Sequence, residues 1–321
     1  MLWIISSKYD ITTVYVKKWL YSLGHKFNSV NTEDYSKLNY FHLSNENLKI
    51  SVVDNKSFGK DCIIWHRRGR LRHIPKILGH SNHIYNYLKR EEDALIKSIE
   101  LILKNSVNYI GSFLKETENY KLENLFIAKS VGLKIPNTIV TTSKDDLIKF
   151  VSHFECVTKD IRYPVNFETE QSSYISKGTI QISLKDVESL AEDFAPILVQ
   201  ELIKKQFEIR IFFLDELFYA MAIFSQNDDK TKLDYRNYNY DKPNRCVPFE
   251  LPKTVFTKLK LFLKKVNIRT GSIDLIVTTS GDYVFLEINP MGQLDWLSKS
   301  CNYYIEKEIA HYFSKLNNNY E

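Results

Sequence analysis

The first hundred residues alternate between short apolar runs and longer amphipathic repeats. LWIISS, KFNSVN, LKISVV and CIIWHRR have the length and the β-branched content of strands. ITTVYVKKWLYSLG spaces its apolar residues as a helix does and stops at Gly24, and a second helical stripe of leucine and isoleucine runs from residue 87 to residue 104. Because strands alternate with helices, the pattern predicts an α/β unit over residues 1–110.

A central unit, residues 111–195, follows with the same two periods. LENLFIAKSVG predicts a helix that ends at Gly132. Ser143 and Ser183 each stand three positions before an aspartate, which is the spacing of a capped helix start, and the second of these helices is expected to continue to Phe194. LKIPNTIVTT, CVTKD and SSYISKGTIQISL predict short strands around these helices.

The last unit, residues 196–321, is dominated by strands. ILVQELI predicts one strand, and FEIRIFFLDELFYAMAIF predicts a hairpin that turns at residues 215–216. SIDLIVTTSGDYVFLEINP predicts a second hairpin that turns at residues 280–281. Between the two hairpins, the polar segment 228–252, rich in Tyr, Asn and Pro, predicts a long loop, and TVFTKLKLFLKKV predicts a helix.

Composition adds a mild positive charge and no sign of secretion. The 321 residues contain 44 Lys and Arg against 39 Asp and Glu, and the resulting charge of +5 suits an anionic ligand without arguing for nucleic acid. The apolar N-terminus lacks the basic residues and cleavage site of a signal peptide, and the most apolar stretch, 209–224, is interrupted by two acidic residues. Four widely spaced cysteines and a Lys-, Asn- and Ile-rich composition complete the expectation of a bacterial cytoplasmic protein with no membrane partner.

The scarcity of glycine limits the ways in which this chain can bind a nucleotide. It has only 10 glycines, and neither G-x-x-x-x-G-K-[ST] nor G-x-G-x-x-G occurs, so a P-loop and a dinucleotide fingerprint are both excluded. The histidines offer no zinc pattern either. The loose group His66, His73, His80 and His83 has no cysteine pair nearby.

The second hairpin carries the sharpest chemical pattern in the chain. Glu287 and Asn289 are two positions apart, so their side chains share one face of a strand, and Asp274 lies on the partner strand. With the turn at residues 280–281, the three side chains can approach one another across the ladder. Two carboxylates and an amide oxygen are ligands for magnesium, with phosphate oxygens completing the octahedron. The alternative is a hairpin with an exposed acidic face.

The residues around this hairpin resemble the metal-binding end of the ATP-grasp superfamily. The matching elements are Asp274 and the segment V-F-L-E-I-N-P at 284–290. In that superfamily the corresponding Asp, Glu and Asn hold magnesium ions that bridge the ATP phosphates, so the resemblance implies ATP and two Mg²⁺ ions at Asp274, Glu287 and Asn289. It also implies an α/β fold of the ATP-grasp type, in which an N-terminal pre-grasp domain precedes two lobes that clamp ATP.

Earlier segments match the same superfamily in the expected order. V-Q-E-L-I at 199–203 resembles the strand that carries the adenine-binding hinge. The resemblance implies that Gln200 and Glu201 lie at the hinge. It also implies that Leu202 and Ile203 offer backbone groups to the adenine.

One acidic-x-Arg element and two lysines extend this match. F-E-I-R at 207–210 resembles the element in which Glu208 would bind the ribose and Arg210 would face the phosphates or the acyl intermediate. Lys159 in C-V-T-K-D resembles the lysine that contacts the α- and β-phosphates, and Lys121 resembles an earlier ATP lysine.

The resemblance covers about residues 110–310 and departs from the superfamily at one place. Many ATP-grasp enzymes cover the phosphates with a glycine-rich loop, but the corresponding stretch 160–180 has only Gly178. The loop must be reduced, or replaced by Lys177 and by hydroxyl groups. The serines that could supply these hydroxyls are Ser172, Ser173 and Ser176.

Two basic segments resemble a narrower group, the graspetide synthetases, which are ATP-grasp maturases that cross-link ribosomally made precursor peptides. One is I-I-W-H-R-R at 63–68, and the other, 234–252, resembles the acceptor-side loop of the grasp-with-spasm branch. The resemblance implies that Arg236 holds the reacting carboxylate or phosphoryl group. It also assigns three arginines to the substrate peptide, Arg67, Arg68 and Arg245. Taken by themselves, the two segments are a solvated basic loop and a turn-rich surface segment.

The function implied by this resemblance is an ATP-dependent ligase. Asp or Glu side chains of a precursor peptide, composed of a leader and a core, become acylphosphates and are joined to Ser, Thr or Lys side chains as esters or amides. Such an enzyme needs positioning and charge stabilisation and no covalent nucleophile of its own. A homodimer is expected. Two alternatives stay open, a glutamate-ligase-like enzyme that adds free amino acids to a peptide or metabolite, and a non-catalytic peptide-binding module on the same scaffold.

Overall fold

The computed structural model describes residues 1–32, 40–46, 48–52, 56–58, 62–69, 82–162, 166–168, 172–175 and 178–318. Its helices are α1 (Ile11–Ser22), α2 (Asn82–Ser106), α3 (Phe113–Thr117), α4 (Lys121–Ser130), α5 (Lys144–His153), α6 (Leu184–Glu188), α7 (Lys253–Val266), α8 (Asp295–Ser300) and α9 (Ile305–Asn318). Its strands are β1 (Leu2–Ser6), β2 (Phe27–Asn31), β3 (Tyr40–Leu43), β4 (Leu48–Val52), β5 (Lys56–Ser57), β6 (Ile63–His66), β7 (Asn108–Gly111), β8 (Thr138–Thr141), β9 (Cys156–Lys159), β10 (Asn166–Glu168), β11 (Ser173–Ile175), β12 (Ile180–Ile182), β13 (Ile197–Glu201), β14 (Lys205–Leu214), β15 (Leu217–Phe224), β16 (Arg245–Phe249), β17 (Thr270–Thr278) and β18 (Tyr283–Asn289). Within these ranges no helix is both long enough and apolar enough to cross a membrane.

A parallel sheet forms the centre of the first unit. Its strand order is β2-β1-β6-β7, and each neighbouring pair is parallel. All residues of β1 and β6 are buried, which explains their nearly unbroken apolar sequences, because a parallel sheet is covered on both faces. Ile99 and Leu103 of α2 pack against this sheet, and the small antiparallel sheet β3-β4-β5 contributes Ile50 to the same core.

The central sheet is antiparallel and small. Its strand order is β12-β9-β13-β8. Leu147 of α5 and Val187 of α6 pack on Cys156 and Val199 of the sheet. This core is separate from the two cores that flank the last sheet.

The last sheet is antiparallel and has the strand order β16-β15-β14-β17-β18. One of its faces is largely apolar. Ile211, Phe213 and Phe285 of this face pack against Phe262 of α7 and Leu125 of α4. The helix that opens the predicted central unit, α4, therefore packs on the last sheet.

The opposite face of the last sheet is divided between a core and a cleft. Near the β14–β15 turn, Phe212 and Leu214 pack together with Trp65 of β6 and Phe313 of α9. α1 and α9 lie against each other at this junction. The first unit and the last sheet thus share one continuous core, while the division of the chain near residues 110 and 195 stays a prediction.

Most of the predicted helix ends and turns are confirmed. β14 and β15 turn at residues 215–216, and Asp215 has a positive φ of 47°. Gly281, in the β17–β18 turn, has a φ of 84°, and Gly132, after α4, has a φ of 81°. Glycine is favoured at both positions because a side chain is strained in this conformation.

The helix expected to continue to Phe194 is wrong in its length. α6 is only five residues long and ends at Glu188, with Ser189 as its C-cap. Leu190 and Phe194 follow as irregular chain and pack on the core of the central sheet. Their apolar character therefore reflects tertiary packing and not a continued helix.

The loop expected over 228–252 is also partly wrong, because this segment contains β16. β16 pairs with β15, with Ala220 opposite Phe249. It is an edge strand of the sheet. This position tolerates Pro248, which cannot donate a backbone hydrogen bond.

Candidate functional site

A cleft opens between the central sheet and the last sheet. It is lined by residues of β9, β13, β14, β17 and β18 and by the segment before β16. Val157, Leu202, Ile203, Ile276 and Leu286 make one part of its wall apolar. Its charged and amide side chains are Lys159, Gln200, Glu201, Lys205, Glu208, Asp234, Arg236, Asp274 and Glu287. An apolar slot with several convergent polar groups is typical of a small-molecule site.

The strand register places three charged side chains in one row across the last sheet. Arg210 of β14 pairs with Asp274 of β17, and Asp274 pairs with Glu287 of β18. Directly paired residues of antiparallel strands share one face, so the two carboxylates are neighbours, as the hairpin pattern predicts. A β-bulge beside this row lets the adjacent Leu286 line the cleft as well.

Asp274 is buried and bound by Arg210. Nη1 of Arg210 donates to both carboxylate oxygens, at 2.9 and 2.8 Å, and the Tyr235 hydroxyl donates to Oδ1 at 3.5 Å. Burial opposes the charge on Arg210, but the nearby Asp274 raises the pKa of Arg210 above its usual value. The two side chains therefore form an ion pair inside the protein.

Glu287 faces a second arginine. Nη1 of Arg236 donates to Oε1 of Glu287 at 3.3 Å, while Nε and Nη2 of Arg236 donate to the Asp234 carboxylate at 2.8 and 2.7 Å. The hydrogen bonds to Asp234, together with the charge of Glu287, raise the pKa of Arg236 above its usual value. Arg236 therefore stays cationic beside the predicted metal ligands.

Asn289 is the last residue of β18, and its side chain is exposed. Its register partner is Ser272, so it lies two positions beyond the Asp274–Glu287 pair on the same face. Its Oδ1 accepts a hydrogen bond from the backbone N–H of Met291 at 2.9 Å. Two carboxylates and an amide oxygen fit magnesium by their donor chemistry. The set contains only two carboxylates, and in the described part of the chain no group of three or more His, Cys, Asp or Glu side chains suits a metal ion.

Two predicted lysines lie near these carboxylates. Lys159 lines the cleft, and burial lowers its pKa to about 8, although Glu287 acts in the opposite direction. Nζ of Lys121, at the start of α4, donates to the carbonyl of Asp160 at 2.7 Å. Burial also lowers the pKa of Lys121, again against the attraction of Glu287. Both ammonium groups therefore lie within electrostatic reach of the predicted metal ligands.

The predicted hinge lies where β13 ends. Nε2 of the buried Gln200 donates to the Thr138 hydroxyl at 2.8 Å, and the Glu201 carboxylate accepts from the Asn137 side chain at 2.7 Å. The backbone N–H of Leu202 donates to the carbonyl of Glu155 at 2.7 Å. The backbone N–H of Leu202 is therefore already engaged within the protein.

Glu208 is a buried carboxylate on the same strand as Arg210. It accepts hydrogen bonds from the Lys205 ammonium and from the Ser225 hydroxyl. Lys205 also donates to the carbonyl of Leu233 at 3.0 Å. Burial raises the pKa of Glu208, and Lys205 limits this rise. The carboxylate is thus already fixed at the wall of the cleft.

Three ionisable residues that line the cleft are absent from the sequence prediction, Lys205, Asp234 and Tyr235. Asp234 and Tyr235 directly precede Arg236 in the segment 234–252, so the signal for them was their position beside a predicted site residue. Regular alternation would put Lys205 and Glu208, three positions apart in β14, on opposite faces, and the irregularity between Lys205 and Phe207 brings them together.

The three arginines assigned to the peptide occupy different environments. Arg67 is 3% exposed, and its Nη2 donates to the carbonyl of Gly292 at 2.8 Å. Arg68 is half-buried, and when the Gln293 amide oxygen faces it, the two N–O distances are 3.0 and 3.2 Å. Arg245 lies outside the lining of the cleft and is stacked over the Phe224 ring at 5.3 Å. The cleft does not bring these three side chains together.

The stretch expected to replace the glycine-rich loop is only partly described. Ser176 and Lys177 lie outside the described residues, as do His73 and His80. β10 and β11 form an antiparallel hairpin, and Ser172 and Ser173 at its second strand are exposed. Their role at the phosphates stays a prediction.

The chain is similar in structure to three solved ligases. With the RiPP-associated ATP-grasp ligase of Chryseobacterium gregarium, solved with ADP and a leader and core peptide, the TM-score is 0.81 at 23% identity, over 96% of this chain and 95% of that chain. With the macrocyclase MdnC of Microcystis aeruginosa, bound with the precursor peptide MdnA, the TM-score is 0.77 at 24% identity, over 98% of this chain and 99% of that chain. With the ATP-grasp ligase PsnB, solved with a phosphomimetic variant of a minimal precursor, Mg and ADP, it is 0.74 at 17% identity, over 98% of each chain.

No family model and no curated protein sequence matches the chain. The structural similarity extends over almost the whole length of both partners, so it includes the first unit as well as the two sheets that form the cleft. The chain therefore has the ATP-grasp fold, and the fold prediction is confirmed.

Proposed function

We propose that this chain is an ATP-dependent carboxylate ligase that macrocyclises a ribosomally made precursor peptide. The observation that carries the proposal is one cleft that combines the hinge at 200–203, the lysine Lys159 and the carboxylates Asp274 and Glu287. The similarity to ligases solved with leader, core or precursor peptides supports a peptide as the substrate.

The cleft has the groups that ATP requires. The apolar wall formed by Val157, Leu202 and Ile276 suits the flat face of adenine, and the backbone carbonyl of Leu202 would accept a hydrogen bond from the exocyclic amine. Glu208 offers acceptor oxygens to the ribose hydroxyls. Lys159 offers a positive charge to the phosphates.

Asp274, Glu287 and Asn289 would hold two Mg²⁺ ions, which supply charge neutralisation at the phosphates. Arg210 and Arg236 lie beside these carboxylates as cations. In the proposed reaction a peptide carboxylate oxygen attacks the γ-phosphorus and ADP leaves. A hydroxyl or amine then attacks the acyl carbon, loses its proton and releases phosphate. The arginines stabilise the negative charge that develops in both steps.

The proposed partner is a precursor peptide with a leader and a core. Arg68 is half-buried beside the segment that follows Asn289, so it is better placed than the buried Arg67 to meet a peptide carboxylate. We also propose that the enzyme works as a homodimer in the bacterial cytoplasm. Whether the product is an ester or an amide depends on the acceptor side chains of the peptide.

Co-expression with the precursor peptide tests this function. The peptide should be encoded beside this chain and be rich in Asp or Glu and in Ser, Thr or Lys. In the mass spectrum it should lose the mass of one water for each cross-link, and Asp274→Ala or Glu287→Ala should abolish the loss. Unchanged ATP turnover in both variants would show that the metal assignment is wrong.

The same experiment separates the proposal from its alternatives. An amino-acid ligase would add the mass of an amino acid to a peptide or metabolite and would need no leader. A non-catalytic peptide-binding module would retain the peptide without changing its mass and would not turn over ATP.

A further inference from the structure

The segment 287–292, which carries two predicted metal ligands, is held by side chains from outside its own hairpin. The carbonyl of Ile288, between those two ligands, accepts a hydrogen bond from Nδ2 of Asn119 at 2.8 Å. The carbonyl of Gly292 accepts from Nη2 of Arg67 at 2.8 Å. Asn119 belongs to the connection between α3 and α4, and Arg67 follows β6, so two distant parts of the chain meet this segment.

Each of these two donors is itself oriented by a buried partner. The Asn119 amide oxygen accepts from the side chain of Asn124, a buried residue of α4, at 2.7 Å. The guanidinium of Arg67 is buried beside Asp10, with 3.6 Å between Nε and a carboxylate oxygen. Asp10 is in turn the N-cap residue of α1. The donors are thus fixed before any ligand arrives, which is the behaviour expected of groups that support metal ligands.

The segment also has no room for a side chain at Gly292. A Cβ added to Gly292 would come within 2.5 Å of the Ser272 hydroxyl oxygen and 2.6 Å of Nη2 of Arg210. Arg210 is the residue that binds Asp274 on the neighbouring strand. A shift of this segment would therefore move the guanidinium that contacts the third predicted metal ligand.

We propose that Asn119 and Arg67 are positioning residues that fix the backbone of segment 287–292 at two carbonyls and so preset Glu287 and Asn289 for Mg²⁺. Arg67 then acts on the protein backbone and not on the substrate peptide. The proposal rests on the proposed function only in requiring that the cleft bind a magnesium nucleotide.

Magnesium titration of ADP binding, without any peptide, tests the role of Asn119. In Asn119→Ala the Mg²⁺ concentration for half-maximal strengthening of ADP binding should rise by about 10-fold or more, by analogy with the loss of outer-shell partners of metal ligands. ADP binding in EDTA should equal that of the wild type, because Asn119 does not line the cleft. Asn105→Ala, at an exposed asparagine of α2, is the matched control and should change neither value.

Arg67 requires a charge-balanced variant, because its removal alone would leave Asp10 as an unpaired buried charge. The double variant Arg67→Met/Asp10→Asn should show the same rise in the Mg²⁺ requirement. Its melting temperature reports whether it folds, and if it does not fold, Asn119→Ala alone decides the matter.

Two results would overturn the positioning role. The first is a wild-type Mg²⁺ requirement in the folded variants, and the second is an equal loss of ADP binding in EDTA, which would indicate general damage. Since no peptide is present, failure of the proposed function looks different. In that case the wild type would bind magnesium and ADP normally but leave the precursor peptide unmodified.

Discussion

The Arg210 guanidinium can bind either of two negative groups at the site, the Asp274 carboxylate or the acylphosphate of the proposed reaction. In the structure it makes two hydrogen bonds with Asp274, and both side chains are buried. In the proposed reaction it would instead face the charge of the acylphosphate. Asp274 would at the same time be required as a metal ligand, so Arg210 and Mg²⁺ compete for one carboxylate.

Replacing Arg210 by alanine should therefore weaken catalysis but strengthen magnesium binding. Peptide modification should slow by about 10²- to 10³-fold, because a group that stabilises developing charge is lost. The Mg²⁺ concentration needed to strengthen ADP binding should fall, because Asp274 no longer has a competing cation. Single-turnover kinetics and the ADP titration measure the two effects. A higher Mg²⁺ requirement in Arg210→Ala would contradict the competition.

Lys159 gives the nucleotide affinity a pH dependence. Burial lowers its pKa to about 8, and only the charged form attracts phosphate. In EDTA, the affinity for ADP should be retained below this pH and should fall as the pH rises through it. In Lys159→Arg the fall should disappear, since arginine stays charged over this range. Dissociation constants over about two pH units on either side provide the measurement, and equal pH profiles of the two proteins would exclude Lys159 from phosphate binding.

At the scale of elements, the hairpin of β17 and β18 combines a ladder that contains one β-bulge with a tightly packed end. The ladder brings Asp274 opposite Glu287, and the bulge lets Leu286 line the cleft. After Asn289 the chain turns at once, and its Gly292 lies against Ser272 and Arg210. The position of the Arg210 guanidinium beside Asp274 therefore depends on the residues that follow β18.

A methyl group at Gly292 should disturb the site more than the fold. In Gly292→Ala, the Cβ would displace either the Ser272 hydroxyl or the Arg210 guanidinium. We expect peptide modification to fall by about 10-fold or more, as expected for a displacement near 1 Å, while the melting temperature changes little. Adding Ser272→Gly removes one of the two neighbours and should restore part of the activity. Full activity of the single variant would show that the segment can move freely.

The sequence predicts this hairpin well because its signals are local. Alternation puts Glu287 and Asn289 on one face, and the turn puts Asp274 on the partner strand, but the β-bulge between Leu275 and Asp274, which has no such signal, sets Asp274 opposite Glu287 and not opposite Leu286. The contacts of Arg67 with Gly292 and of Asn119 with Ile288 have no such signal, since they depend on how distant elements pack.

The errors in the predicted elements have the same origin. β16 forms only because β15 offers it an edge, and the apolar residues after α6 follow the core of the central sheet. α9 is a different case. It is missing from the predicted elements although Ile305, Ile309 and Phe313 recur every four residues, so its signal was present in the sequence.

At the scale of the whole molecule, the first unit and the last sheet behave as one body. Their common core includes Trp65 and Phe313, whose ring centroids lie 5.2 Å apart. The central sheet has its own small core and is attached to the elements of the last sheet by two short connections, 131–137 and 202–204. The cleft thus lies between a large body and a smaller one.

The shared core predicts a single unfolding transition for the first unit and the last sheet. Phe313 is 1% exposed, so Phe313→Ala should lower the free energy of unfolding by about 3–5 kcal/mol. Urea titrations followed by tryptophan fluorescence and by circular dichroism should shift together. Phe126→Ala is the matched control, because Phe126 is 73% exposed and its loss should have little effect. Separate transitions for the two regions would contradict a common core.

The hydrogen bond between Arg67 and Gly292 spans 225 positions of the chain, and this sets the order of events on the ribosome. The first unit emerges early, but the partners of its core in α8 and α9 are translated much later. The nascent chain must therefore keep Trp65 and its apolar neighbours without their final partners during most of translation. Folding that depends on such long-range contacts is slow and exposes apolar surface. The complete site can form only after the C-terminal helices have left the exit tunnel.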